Sequence, residues 1–159
     1  MEIRLAKASD ISRISDLYHE LFAEMALLQP KGFAPAQQSR MFLRNIIHSN
    51  DHAFFLACND NGEAVGFAVA EETETPDYNA LIKRRYAYLM DIVVAREYRG
   101  GGIGTCLIEQ VRSWAVTRKL EYVELNVLAQ NLHAIELYNR LGFQNAKHVM
   151  QMPLQPCNE

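Results

Sequence analysis

Arg99-Gly100-Gly101-Gly102-Ile103-Gly104 places four glycines within five consecutive positions. Upstream, residues 86–95 form the most strand-like run of the chain, and downstream about residues 102–118 carry apolar side chains at helical spacing. A strand therefore hands over to a helix through a glycine loop. The first turn of a helix leaves four N–H groups without intrahelical acceptors, and the aligned peptide dipoles make that end positive. Glycines remove the Cβ atoms that keep an anion at a distance, and they permit backbone angles closed to other residues. A turn alone needs fewer of them. The stretch reads as a cradle for a phosphate-bearing ligand, with Arg99 supplying a cation at its rim.

Working outward, Ile3 and Leu5 alternate with charged neighbours and predict a first strand over 2–7. Ser9-Asp10 offers an N-cap, followed at helical spacing by Ile11, Ile14, Leu17, Tyr18, Leu21, Phe22 and Met25. That helix is expected to end before Pro30, with a shorter second helix carrying Phe42, Leu43, Ile46 and Ile47. Residues 53–58 and 64–70 flank Asn59-Asp60-Asn61-Gly62, a hairpin signal. The acidic, Thr- and Pro-containing stretch 71–78 reads as a surface loop. Beyond the glycine loop, a strand is expected over 122–127, a helix over about 131–141 stopped by Gly142, and a last strand over about 147–154. The order β-α-α-β-β-β-α-β-α-β is that of an α/β (α+β) domain, residues 1–159, with one mixed sheet and helices on both faces. The glycine loop falls at a strand-to-helix handover, where open α/β sheets bind their ligands.

At 159 residues the chain is long enough to bury a core. Its 49% hydrophobic and 22% charged residues are ordinary globular values. No apolar run reaches membrane-spanning length, and residues 1–5 lack a signal peptide's apolar core. Cys58, Cys106 and Cys157 show no CxxC spacing and read as free thiols in a cytoplasmic setting. The net charge of -3 is unevenly spread. Residues 83–119 hold eight basic and three acidic side chains, whereas residues 1–82 hold six and twelve. Positive charge around the glycine loop suits an anionic ligand. An acidic chain without aromatic-basic interleaving argues against nucleic acid.

The loop fails two nucleotide patterns. No lysine follows a glycine as a Walker loop requires, and from Gly100 or Gly102 the last position of G-x-G-x-x-G is Thr105 or Leu107. That disfavours a nucleotide-binding oxidoreductase. R-x-x-G-x-G does fit, with Arg99, Gly102 and Gly104. Together with Asp91-Ile92-Val93-Val94 before it, and Asn131, Ala134-Ile135, Leu137-Tyr138 and Leu141-Gly142-Phe143 after it, the chain resembles the GCN5-related N-acetyltransferases. The likeness extends over essentially the whole chain and is strongest from residues 88 to 143.

That resemblance implies an acyl-CoA N-acyltransferase fold and acetyl-CoA as co-substrate, with direct acetyl transfer to a primary amine of a small molecule or peptide. It implies cofactor contacts from the main chain of Ile92, Val93 and Val94, from Arg99, Gly100, Gly101, Gly102, Ile103, Gly104 and Thr105, and from Asn131 and Tyr138. Tyr138 is the implied general acid for the departing thiolate; by spacing alone, with Ile135 and Leu141, it also reads as a core aromatic. Asn131 reads equally as an N-cap. Where some relatives carry a glutamate, this chain has Asn126, which cannot act as a base. The candidates left for deprotonating or anchoring the amine are Asp91, Glu71 and Glu72, with Asp91 alternatively paired to Arg84 or Arg85. The acidic side chains of the first helices and of the 71–78 stretch, Glu24, Glu71 and Glu72 among them, suit a cationic acceptor. His48 and His52 straddle a helix end and do not read as a metal site. Cys106 has no activating neighbour and is not required for direct transfer. A homodimer is expected from the resemblance, and no membrane association. The alternative is a non-catalytic acyl-CoA-binding module.

Overall fold

The computed structural model describes residues 1–154 and arranges five strands in one sheet in chain order: β1 (Glu2–Leu5), β2 (His52–Cys58), β3 (Ala64–Glu74), β4 (Arg85–Val94) and β5 (Val123–Leu125). The first four pair antiparallel, while β5 runs parallel to β4. The helices are α1 (Ile11–Leu28), α2 (Arg40–His48), α3 (Ile103–Thr117) and α4 (Leu132–Arg140).

Strand alternation sorts side chains to two faces. On one face Ile14, Leu17 and Tyr18 of α1 and Leu43 and Ile46 of α2 bury against Phe54, Phe67, Val69 and Val93. On the other, Leu107, Ile108 and Val111 of α3 and Tyr138 of α4 bury with Phe55, Ala68 and Leu89. Each large apolar side chain so enclosed contributes about 1.5–3 kcal/mol. The expected mixed sheet with helices on both faces is present. Gly142 has φ +92°, the left-handed angle expected of the residue that ends α4.

Several local expectations are corrected. Asp10 does not cap α1 through its side chain; its carboxylate instead accepts from the Lys7 N–H and the Arg4 guanidinium, closing a 3-10 turn over Ala8–Asp10. The acidic stretch is not all loop, because β3 continues through Glu74 by pairing with β4 as far as Arg85. β5 is three residues long rather than the six of 122–127. No strand forms over 147–154, where Val149, Met150, Met152 and Leu154 are exposed. Apolar composition is not sufficient for a strand, which needs a neighbouring ladder to satisfy its backbone.

One irregularity matters most. Val69 pairs with Asp91 but Ala70 pairs with Leu89, so Met90 is an extra residue in β4. A bulge of this kind sends two successive side chains to the same face. Met90 packs with the α1 face and Asp91 also reaches it, whereas Leu89 and Ile92 on either side pack with the α3 face.

Candidate active site

The β4–β5 ladder contains three residue pairs, Ala87 with Val123, Tyr88 with Glu124, and Leu89 with Leu125. Beyond Leu89 the strands part, and β4 continues to Val94 without a neighbour on that side. Ala95 donates its N–H to Val65 C=O on β3, at 2.8 Å. Because main-chain groups alternate along a strand, Val93 also points to β3, while Ile92 and Val94 turn their N–H and C=O groups into the gap. Of the three residues expected to meet the cofactor through their backbone, two face the opening and Val93 is spent within the sheet.

The glycine loop lies at the end of this gap. Gly100 and Gly102 have φ +82° and +81°, angles that side-chain-bearing residues rarely adopt, and Gly102 is the N-cap of α3. The first bond of that helix runs from Cys106 N–H to Gly102 C=O, 3.0 Å. Among the described residues nothing accepts the N–H of Gly100, Gly101, Gly102, Ile103, Gly104 or Thr105. Six successive donors at a positive helix end form a fitting seat for a pyrophosphate.

Arg99, expected as a cation at the rim of the loop, is engaged on two sides. Its Nε donates to Val94 C=O at 2.7 Å, and its Nη2 lies 2.9 Å from Glu24 Oε1 on α1. Arg96 approaches the same carboxylate at 3.6 Å. Glu24 is therefore balanced by two guanidiniums. An open cleft of about 260 Å³ lies here, lined by Leu21, Glu24, Met25, Leu28, Arg96 and Asn131 among others.

Asn131 caps α4, its side-chain oxygen accepting from Ala134 N–H at 3.2 Å. Leu137 rests against Gly104, which sets α4 on the first turn of α3. Tyr138 then enters the cluster that contains Ile103 and Leu107, edge-on to Phe143 at 5.6 Å. Only 9% of it is exposed, and burial pushes its phenol up to about 12. Its hydroxyl takes no hydrogen-bond partner among the described residues and is not sealed from solvent. The phenol stays neutral at ordinary pH and is able to donate a proton.

The carboxylates separate. Glu71 and Glu72 are adjacent in β3 and so lie on opposite faces. Glu72 is clamped by Arg118, the C-cap of α3, and by Arg85 of β4, which hold its carboxyl below the usual range and leave it a weak base. Glu71 lies on the α1 face, 4.0 Å from His52 Nε2. Asp91 pairs with neither Arg84 nor Arg85, since Arg84 binds Glu121 and Arg85 binds Glu72. Its Oδ2 instead accepts a 2.8 Å hydrogen bond from Tyr18, and burial lifts its pKa from 3.8 to about 6. Tyr18 was not singled out by the sequence, because it sits among apolar residues on the buried stripe of α1.

Beyond the reach of α1 and α2, the same sheet face carries Tyr86 and Tyr88 of β4 with Tyr122, Glu124 and Asn126 alongside. Tyr86 and Tyr122 stack at 4.8 Å, Arg84 covers the Tyr122 ring at 4.2 Å, and Asn126 donates to Tyr88 Oη at 2.9 Å. Among the described residues no group of three or more metal-binding side chains converges, and no helix is long and apolar enough to cross a membrane.

Known proteins bear on this geometry. An uncharacterised N-acetyltransferase of Methanocaldococcus jannaschii is 34% identical over 111 residues, covering 70% of this chain and 47% of its own length. Thus the chain spans about half the length of that relative. An aminoglycoside N(6')-acetyltransferase type 1 of Stenotrophomonas maltophilia is 29% identical, covering 65% of this chain and 69% of its own. Among solved structures, a mutant of the BH1408 protein of Bacillus halodurans superposes with a TM-score of 0.92 at 22% identity, over 98% of this chain and 100% of that one. The aminoglycoside N-acetyltransferase AAC(6')-Iy in complex with CoA gives 0.74 at 20% identity, over 98% and 100%. The model of the acetyltransferase (GNAT) family matches residues 14–143, spanning the parted strands, the glycine loop and the Tyr138 helix, and the chain belongs to that family.

Proposed function

We propose that this chain is an acetyl-CoA-dependent N-acetyltransferase that acts on a cationic primary amine of a small molecule or peptide. The observation that carries the reading is the run of six unpartnered N–H groups from Gly100 to Thr105, opening beside the unpaired edge of β4.

Acetyl-CoA supplies the acetyl group as a thioester. The N–H groups from Gly100 to Thr105 hold its pyrophosphate, and Asn131 borders the cleft through which its pantetheine arm runs. The outward main-chain groups of Ile92 and the N–H of Val94, whose C=O accepts from Arg99, pair with that arm, and the N–H groups among them polarise the thioester carbonyl. Asp91 accepts a proton from the ammonium, leaving the neutral amine that attacks. Tyr138 gives its phenolic proton to the departing thiolate. The Glu71 and Glu124 carboxylates and the tyrosine faces beside them favour a cationic acceptor over a neutral one. Free Cys58 and Cys106 accord with a cytoplasmic protein. A homodimer belongs to this reading too, since exposed Val149, Met150, Met152 and Leu154 are surface that a second copy would cover.

Incubation with acetyl-CoA and a panel of amines, followed by release of free thiol, tests the reading. Thiol release that prefers cationic amines is expected. Tight acetyl-CoA binding without release from any amine would replace the enzyme with the binding module.

A further inference from the structure

Two side chains 73 positions apart meet under the bulge of β4. Tyr18, on α1, has no exposed surface and sends its hydroxyl proton to Asp91 Oδ2 at 2.8 Å. The single Tyr18 proton is thus committed to Asp91, a short chain from α1 to the bulge.

Such a chain does two things to a carboxylate. Geometrically, it pins one oxygen, so the other is the one turned to an incoming ammonium. Electrostatically, a donor stabilises the ionised form and opposes the burial that would keep the group protonated. No lysine, arginine or histidine bonds to Asp91 among the described residues, so no cation does this work in place of Tyr18. The other titratable groups on this face are engaged or set apart. His52 of β2 lies by Glu71 of β3, and Glu24 of α1 is held by Arg99 and Arg96. Tyr86 and Tyr88 of β4, Tyr122 just before β5 and Glu124 of β5 belong to the far patch.

We infer that Tyr18 is a positioning residue that keeps Asp91 ionised and oriented to receive the proton of the acceptor amine. This rests on the role of Asp91 in the reading above.

The test is the pH dependence of kcat/KM for the amine in wild type, Tyr18→Phe, Asp91→Asn and the Tyr18→Phe/Asp91→Asn double variant. Tyr18→Phe is expected to move the acidic limb up by about one pH unit, since the donor that favours the carboxylate is gone. The KM for acetyl-CoA is expected to stay unchanged. The double variant is expected to behave as Asp91→Asn alone. An acidic limb at the wild-type pH in Tyr18→Phe would overturn the inference, even if that variant lowers the melting temperature. An Asp91→Asn enzyme that retains its acidic limb would instead remove Asp91 as the base, a separate failure.

Discussion

Tyr138 and Asp91 show how one residue's surroundings set its chemistry. Both are desolvated, and for both burial favours the neutral form, but the consequences are opposite. The Tyr138 phenol becomes a weaker acid that stays protonated at neutral pH. Its replacement by Phe keeps the edge-on contact with Phe143 and removes only the proton. Turnover is expected to fall by about 10²-fold or more while the KM for acetyl-CoA holds; steady-state kinetics would show it. For Asp91, folding raises the pKa to about 6, so the native state binds its proton more tightly than the unfolded chain does. Its contribution to stability is full below about pH 4 and is lost as pH rises through about 6. Asp10 and Glu72, both held low by guanidiniums, act in the other direction but equally in wild type and variant. The difference between the denaturation free energies of Asp91→Asn and wild type is therefore expected to grow between pH 4 and 6. A flat difference would mean that Asp91 is not desolvated in the folded chain.

At the scale of elements, the glycine loop makes the most specific demand. Gly102 has open space around its Cα but a φ of +81°, so Gly102→Ala is expected to cost about 1 kcal/mol through backbone strain alone. Gly101 has an ordinary φ, and an added Cβ would come no closer than 3.9 Å to the Tyr98 carbonyl. Gly101→Ala is thus expected to leave the melting temperature unchanged and to raise the KM for acetyl-CoA several-fold, because only the bound pyrophosphate would meet the new methyl group. A matching KM would place the ligand elsewhere. Elements such as α1, α3 and the Asn59–Gly62 hairpin were legible because their signals are local: apolar spacing, glycines at a helix start, a turn between two apolar runs. The bulge at Met90 was not, since a single extra residue shows only against the strand beside it. The Tyr18–Asp91 bond escaped for the same reason, joining residues 73 positions apart. The expected strand over 147–154 is absent because apolar side chains alone do not supply a ladder partner.

For the whole molecule, function follows from how the two layers of helices divide the sheet. α1 and α2 bury the α1 face over β1 to β3 and over the bulge of β4, where Asp91 lies under Tyr18, and leave open the end that carries the tyrosines of β4 and its neighbour. α3 and α4 cover the reverse side and bring Tyr138 and the glycine loop to the same gap. On the proposed function, the cofactor and the amine meet where β4 and β5 separate. The order of elements up to α4 is legible from local patterns. Which strand residues share a face is not, because facing depends on register.

The parted strands also leave a record in time rather than in space. Amides of Asp91 and Val93 are tied to β3, whereas those of Ile92 and Val94 open into the gap between β4 and β5. Neighbouring positions of one strand are therefore expected to trade hydrogen for deuterium at very different speeds in the free protein, as resolved by NMR. Adding acetyl-CoA is expected to slow Ile92 and Val94 toward the pace of Val93. The rhythm along β4, alternately fast and slow, would then become uniform, and its loss would count bound cofactor without any acceptor present.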